Sequence, residues 1–131
     1  METLLRGALV SWLKSDPALA HVNAVEEESP LIASPPWLGI AASASIDWST
    51  KDRTGRETRI ALELVTRGPN PADDGSTVAA IDRRIENMPQ DQGAFELVSS
   101  QFLRARAERR PNNLRAVLLE YRFRLFKNQS E

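Results

Sequence analysis

The chain of 131 residues has no cysteine, which excludes disulfides, thiolate metal ligands and a cysteine nucleophile. It has one histidine, His21, and no partner imidazole with which to build a metal site or a general base of the usual kind. Glycine is sparse, and Gly55 and Gly68 stand alone in turn contexts rather than in a phosphate-cradling loop. No nucleophile-elbow pattern accompanies a serine, so a Ser-His-Asp arrangement has no basis. No apolar run approaches the roughly 20 residues of a membrane-spanning helix. Met1 to Lys14 alternates polar and apolar residues, unlike the continuous apolar stretch of a signal peptide. These absences point away from an enzyme, from any cofactor or metal and from a membrane, and the lack of cysteine suits a cytosolic setting.

What is present is an ordinary globular composition, 41% hydrophobic and 27% charged, enough for one core and too short for a second. A single domain over residues 1–131 is expected, with the last few residues flexible. The net charge of −1 conceals an asymmetry. Residues 1–100 carry 9 basic and 15 acidic side chains, a balance of −6, whereas residues 101–131 carry 8 and 3, a balance of +5. Such a chain can stack on copies of itself or on an oppositely charged partner. Alternatively, folding interleaves the two regions and cancels the difference.

Leu4, Leu5, Ala8, Leu9, Trp12 and Leu13, recurring at i, i+4 and i+8 with neighbours, predict an N-terminal helix ended by Ser15-Asp16-Pro17. Glu26-Glu27-Glu28 reads as a solvated loop or, on the sharper reading, as an interaction patch. A strand is predicted from Trp37 to Trp48, with Leu38, Ile40, Ala42, Ala44, Ile46 and Trp48 on one face. A polar hairpin follows, then the cleanest strand, Glu57 to Arg67, where Thr58, Ile60, Leu62, Leu64 and Thr66 oppose Glu57, Arg59, Glu63 and Arg67. A second helix is predicted from about Ala72 to Met88. Asp73 and Asp74 lie in its first turn, where the helix dipole favours acids, although a half-built metal site is the alternative. Gly93 to Arg106 is a strand whose apolar residues change parity, which predicts a bulge. Glu108 to Asn113 reads as a connector and Leu114 to Phe126 as a strong strand. The fold class is therefore α+β: a four-stranded, mostly antiparallel sheet with two helices packed on one face, in the order α-β-β-α-β-β.

Two groups of residues are candidates for interaction. Trp48, Lys51, Arg53 and Arg56 belong to the first hairpin, where Trp48 is either an interface anchor or a core residue sharing the face of Ile46. Arg104, Arg106, Arg109 and Arg110 belong to a basic run that continues through Arg115, Arg122, Arg124 and Lys127. If the last two strands pair, one end of their hairpin is densely positive. It can then meet DNA phosphate without reading sequence, meet an acidic protein surface, or be an ordinary solvated face with Glu108 and Glu120 as partners.

The N-terminal helix leads into Lys14-Ser15-Asp16-Pro17-Ala18-Leu19-Ala20. A proline-led strand follows at Pro35-Pro36-Trp37-Leu38-Gly39-Ile40 and ends in Asp47-Trp48-Ser49-Thr50-Lys51. The next strand ends in Thr66-Arg67-Gly68, and the chain closes on the alternating strand Ala116 to Leu125. Together these stretches resemble a known family, the tail-completion or tail-terminator proteins of siphophages and gene transfer agents. The likeness runs over almost the whole chain in order and spacing. The sequence departs from it at Asp82-Arg83-Arg84, where the family helix is small and alanine-rich, and at His21-Val22-Asn23, which lacks the family's glycine.

The resemblance implies a non-enzymatic structural protein without cofactors, located at the neck of a virion or gene-transfer-agent particle and assembled in the bacterial cytoplasm. It implies a homo-oligomeric ring, a hexamer, that caps the tail tube protein and docks to the head-side stopper or connector protein, with DNA passing through the lumen. Two alternatives stay open: a non-sequence-specific nucleic-acid-binding αβ module that uses the C-terminal hairpin, and another neck protein of stopper type.

Overall fold

A computed structural model describes residues 1–30 and 32–128; the expected flexibility of the last residues falls mostly outside them. Two helices, α1 (Glu2–Lys14) and α2 (Gly75–Glu86), pack on one face of a five-stranded sheet. Its strands are β1 (Ala24–Glu26), β2 (Trp37–Asp47), β3 (Gly55–Arg67), β4 (Phe95–Arg110) and β5 (Leu114–Lys127), in the spatial order β1-β2-β3-β5-β4. β1 is parallel to β2 and every other pair is antiparallel. The α+β class and the helices on one face agree with expectation, but the sheet is mixed and has five strands, not four, in the order α-β-β-β-α-β-β. The additional strand is three residues long, too short for an alternating signal. It is fixed from outside itself: Asn23 N–H donates to the Pro36 carbonyl at 2.8 Å, and the Asn23 side-chain amide donates to that of Ser34 at 2.8 Å.

The core forms where the helical period of α1 meets the two-residue period of the central strands. Leu5, Leu9 and Leu13, one turn apart, are fully buried against Ile60, Leu62 and Leu64 of β3 and Leu119, Tyr121, Phe123 and Leu125 of β5. From α2, Ile81 and Ile85 complete the layer. A short 3₁₀ turn, Pro17–Leu19, follows α1 and is capped by the Asp16 carboxylate, which accepts from Ala18 N–H at 3.0 Å. A second, Pro71–Asp74, opens α2, so the regular helix is shorter than the 72–88 span expected.

Two polar links hold the helices in place. The Arg84 guanidinium stacks 3.4 Å over the Trp12 ring and donates to the Trp12 carbonyl, while Trp12 Nε1 donates to the Arg84 carbonyl at 2.6 Å. Asp82 accepts from the hydroxyl of buried Tyr121 at 2.8 Å. Burial first, and the Asp82 hydrogen bond second, push this phenol well above its ordinary range. Asp82 and Arg84, two of the charged residues by which α2 departs from the family pattern, thus tie it to the sheet and to α1.

In β2 the structure corrects the expected facing. A register shift between Ile40 and Ala42 leaves Leu38 and Ile40 in the core but turns Ala42, Ala44 and Ile46 to the opposite face. Ser43 and Ser45 take the helix side instead, where both hydroxyls donate to the Glu2 carboxylate, at 2.8 and 2.6 Å. β4 carries two such shifts, at Leu97/Ser99 and Phe102/Arg104, as its change of parity suggested. It also runs on to Arg110, so the first half of the expected connector Glu108–Asn113 is strand and the second half is the turn. The turn is closed by Leu114 N–H to the Pro111 carbonyl at 3.4 Å, with Asn112 and Asn113 both at φ near +60°. Those are the two left-handed positions that a tight hairpin turn requires and asparagine tolerates.

Candidate functional site

The face of the sheet not covered by helices is built from the polar parity of β3, β5 and β4. Cross-strand register sets Glu57 opposite Arg124, Arg59 opposite Arg122, Ala61 opposite Glu120 and Glu63 opposite Leu118. It then sets Glu120 opposite Arg104, Leu118 opposite Arg106 and Leu114 opposite Arg110. The resulting ion pairs form a lattice. Arg124 reaches Glu57 at 2.9 Å, Arg104 reaches Glu120 at 3.0 Å, and Arg110 reaches Glu63 at 2.6 Å and Glu108 at 2.8 Å. Arg122 lies 3.9 Å from Glu57 and donates to Gln101. Hydrogen bonds from Arg110 hold the Glu108 carboxyl below its ordinary range. Folding therefore brings two acids of β3, Glu57 and Glu63, among the basic residues of the C-terminal region and cancels part of the charge asymmetry read along the chain.

The structure places the eight candidate residues at two ends of the sheet. Trp48, Lys51, Arg53 and Arg56 lie at the β2–β3 hairpin, beside Phe126 and Glu96. Arg104, Arg106, Arg109 and Arg110 run from mid-sheet to the β4–β5 tip, opposite Glu120 to Leu114. Arg56 and Arg67, the latter level with Arg110 across β5, are separated by about 35 Å at ~3.3 Å per residue. No single patch can contain both groups.

At the hairpin end, Trp48 stacks on Phe126 with centroids 4.9 Å apart. Arg53 covers Phe126 at 4.4 Å while pairing with Glu96 at 2.9 Å, and Arg124 lies 5.4 Å from the Trp48 ring. Trp48 is thus half-buried on the open face rather than in the helix-covered core. Gly55 makes this packing possible, because a Cβ there would stand 2.4 Å from the Trp48 carbonyl oxygen. Lys51 is exposed, and Arg56 faces the helix side beside Asp47 at 3.4 Å.

At the other end, Arg109 and Arg110 belong to the strand and so point to opposite faces. Arg110 joins the lattice. Arg109 lines a concavity of about 320 Å³ on the helix side with Pro69, Pro71, Ala107 and Val117. Beneath it lies the pair that sequence reading missed: buried Arg115 donates to both carboxylate oxygens of buried Asp74, at 2.8 and 3.1 Å, and to the Gly68 carbonyl. Asp74 is therefore a structural anchor for the start of α2 rather than half of a metal site. No local signal links two residues 41 positions apart. His21 meets only Thr77 Oγ1, at 2.8 Å, among its side-chain hydrogen bonds.

Fold and surface together define a small α+β domain with helices on one face of a mixed sheet and ion pairs across much of the other. The family model for tail completion protein gp17 matches residues 7–125, and the chain belongs to that family, which is structural and non-enzymatic. Among solved structures, a chain from the virion of a native gene transfer agent particle is similar, with a TM-score of 0.79 and 21% identity, covering 93% of this chain and 94% of that one. A second solved chain is 15% identical with a TM-score of 0.50, covering 100% and 98%. At these identities the likeness concerns the fold. The search of curated proteins finds no match.

Proposed function

We propose that this tail completion protein is a tail terminator of a phage or gene-transfer-agent particle. It forms a hexameric ring that caps the tail tube and joins it to the head-side connector. The observation that carries the reading is the family match over residues 7–125, and the full-length likeness to a chain of a gene-transfer-agent virion supports it. The mechanism is geometric. Copies related by a rotation that divides a full turn close into a ring through a heterologous contact. One rim complements the tube end and the other does not, so tube growth stops. The two dissimilar ends of the sheet suit two dissimilar neighbours, with Trp48, Lys51, Arg53 and Arg56 at one rim and Arg109 and Arg110 at the other.

DNA passes through the lumen without specific binding. Most arginines of the open face are already paired with glutamates, and a lumen that gripped phosphate would impede transit.

Native mass spectrometry of the purified protein, alone and with its own tail tube protein, tests this. A closed ring, formed alone or only with the tube protein, is the expected result. A strict monomer that ignores the tube protein and binds duplex DNA at low salt overturns it.

A further inference from the structure

We propose that the two outer edges of the sheet form one subunit contact, with β4 of one copy seated against β2 and the acidic segment Glu26–Glu28 of the next. The proposal rests on the ring reading and names the surface that closes the ring.

Both edges are open. Among the described residues, no strand lies outside the 16-residue β4, and past Gly39 none lies outside β2. Unpaired edges of this length are surfaces that proteins either protect or use. Five large apolar side chains are well exposed among the described residues, and four lie on these edges: Val98 (40%) and Phe102 (47%) on β4, Ile46 (62%) on β2, and Ile32 (98%) beside the acidic segment. Apolar residues within a charged rim are the anatomy of a protein interface.

Charge selects which edges meet. The β4 edge carries Arg104, Arg106, Arg109 and Arg110, with Glu108 as the acid among them and Glu96, paired with Arg53, at the far end of the strand. The opposite edge carries Glu26, Glu27, Glu28 and Asp47, with Arg6 as its base. Arg6 is engaged with the Glu27 carbonyl at 2.6 Å and the Ser43 hydroxyl at 2.8 Å. Glu26, Glu27 and Glu28 join none of the ion pairs found among the described residues. A symmetric β4-to-β4 contact centred on Arg104–Arg110 would oppose arginine rows, whereas a head-to-tail contact opposes unlike charges. The acidic segment is also held in place. A Cβ at Gly39 would stand 2.8 Å from the Glu28 carbonyl oxygen, so glycine lets the segment lie against β2.

The two edges also match in height. Across the sheet, Glu26 is level with Gly39, Glu63, Leu118 and Arg106. Ile46 is level with Glu57, Arg124 and Ser99, the neighbour of Val98. A closed ring has no rise along its axis. If the strands run along that axis, one placement sets acid against base and apolar against apolar.

The test uses two full-length variants, E26K/E27K/E28K and R104E/R106E, in native mass spectrometry with and without tail tube protein. Circular dichroism confirms that both fold. Each variant alone is expected to lose the ring by roughly tenfold or more, because like charges meet at every contact. Mixed in equal amounts, they are expected to regain it as an alternating ring with an even number of subunits, because every contact again joins unlike charges. If the wild type forms a ring and each variant alone forms it equally well, or the mixture does not restore it, this interface is wrong while the terminator reading stands. If the wild type forms no ring in either condition, the terminator reading fails and this inference fails with it.

Discussion

The two faces of the sheet are built from the same strands by opposite means. On the helix side, β3 and β5 present Ile60, Leu62, Leu64, Leu119, Tyr121, Phe123 and Leu125, all removed from water. On the open side, the residues between them are Glu57, Arg59, Glu63, Arg122 and Arg124, held in a lattice of ion pairs. The first face supplies stability, since burying each large apolar side chain is worth about 1.5–3 kcal/mol. The second supplies little, because exposed ion pairs are screened and their long side chains lose entropy when fixed. What the open face supplies is selectivity: it fixes the β3–β5–β4 register, and its charge pattern decides what can dock.

The comparison is broken most sharply on the apolar side. Phe123→Ala removes a fully buried ring and is expected to cost about 3–5 kcal/mol, read as a fall in the urea midpoint with little change in slope. A loss below about 1 kcal/mol would mean that this face is not the stability core. The next largest effect comes from a place where a charged pair is buried on the helix side. Asp74→Ala strands the Arg115 guanidinium beside the Gly68 carbonyl without its carboxylate. The expected cost is about 3 kcal/mol, with earlier loss of amide-exchange protection at the start of α2. If Asp74→Ala costs no more than an exposed ion-pair deletion, the Arg115–Asp74 pair is not anchoring the helix.

How much of this was legible depended on whether each strand kept its period. β3 and β5 alternate without interruption, so both faces of each followed from parity alone. β2 did not, because the shift at Ala41 falls in a run of alanines and serines whose side chains carry no facing signal. In β4 the parity conflict of Phe95 and Leu97 with Val98 and Phe102 did signal a bulge. Its end was misplaced because Glu108, Arg109 and Arg110 are as polar as any turn, although they continue a strand. β1 is too short to have a period. The arginines were visible as a cluster with Glu108 and Glu120 as local acids, and Arg104, Arg106 and Arg110 do pair with those two. The further acids, Glu63 and Glu57, come from β3, and only the fold brings them within 3 Å of Arg110 and Arg124.

A pH experiment probes a third kind of site, polar and partly buried. Hydrogen bonds from Ser45 and then Ser43 hold the Glu2 carboxyl below its ordinary value of 4.5. A group with a depressed folded-state pKa stabilises the fold fully above its unfolded value, and the contribution disappears as pH falls through the folded value. Glu2 thus ties α1 to β2 at neutral pH and releases it in acid. The expected result is that the wild type exceeds Glu2→Gln in thermal midpoint at pH 7, with the gap closing as the pH is lowered from 4.5. A gap that is constant across that range would show that the carboxylate charge is not what Ser43 and Ser45 recognise.

The smallest effect belongs to the lattice itself. Glu120 is shared by Arg104 at 3.0 Å and Arg59 at 4.0 Å, and both arginines are exposed. A double-mutant cycle on Arg104 and Glu120 is expected to give a coupling below about 1 kcal/mol, reduced further in high salt. A coupling of several kcal/mol would make the open face a second source of stability and erase the contrast between the faces. A small coupling has a consequence for assembly. Arg104 gives up little intramolecular energy when it turns to a carboxylate on a neighbouring copy, so the charges that contribute least to the folded monomer are the ones most available to the ring.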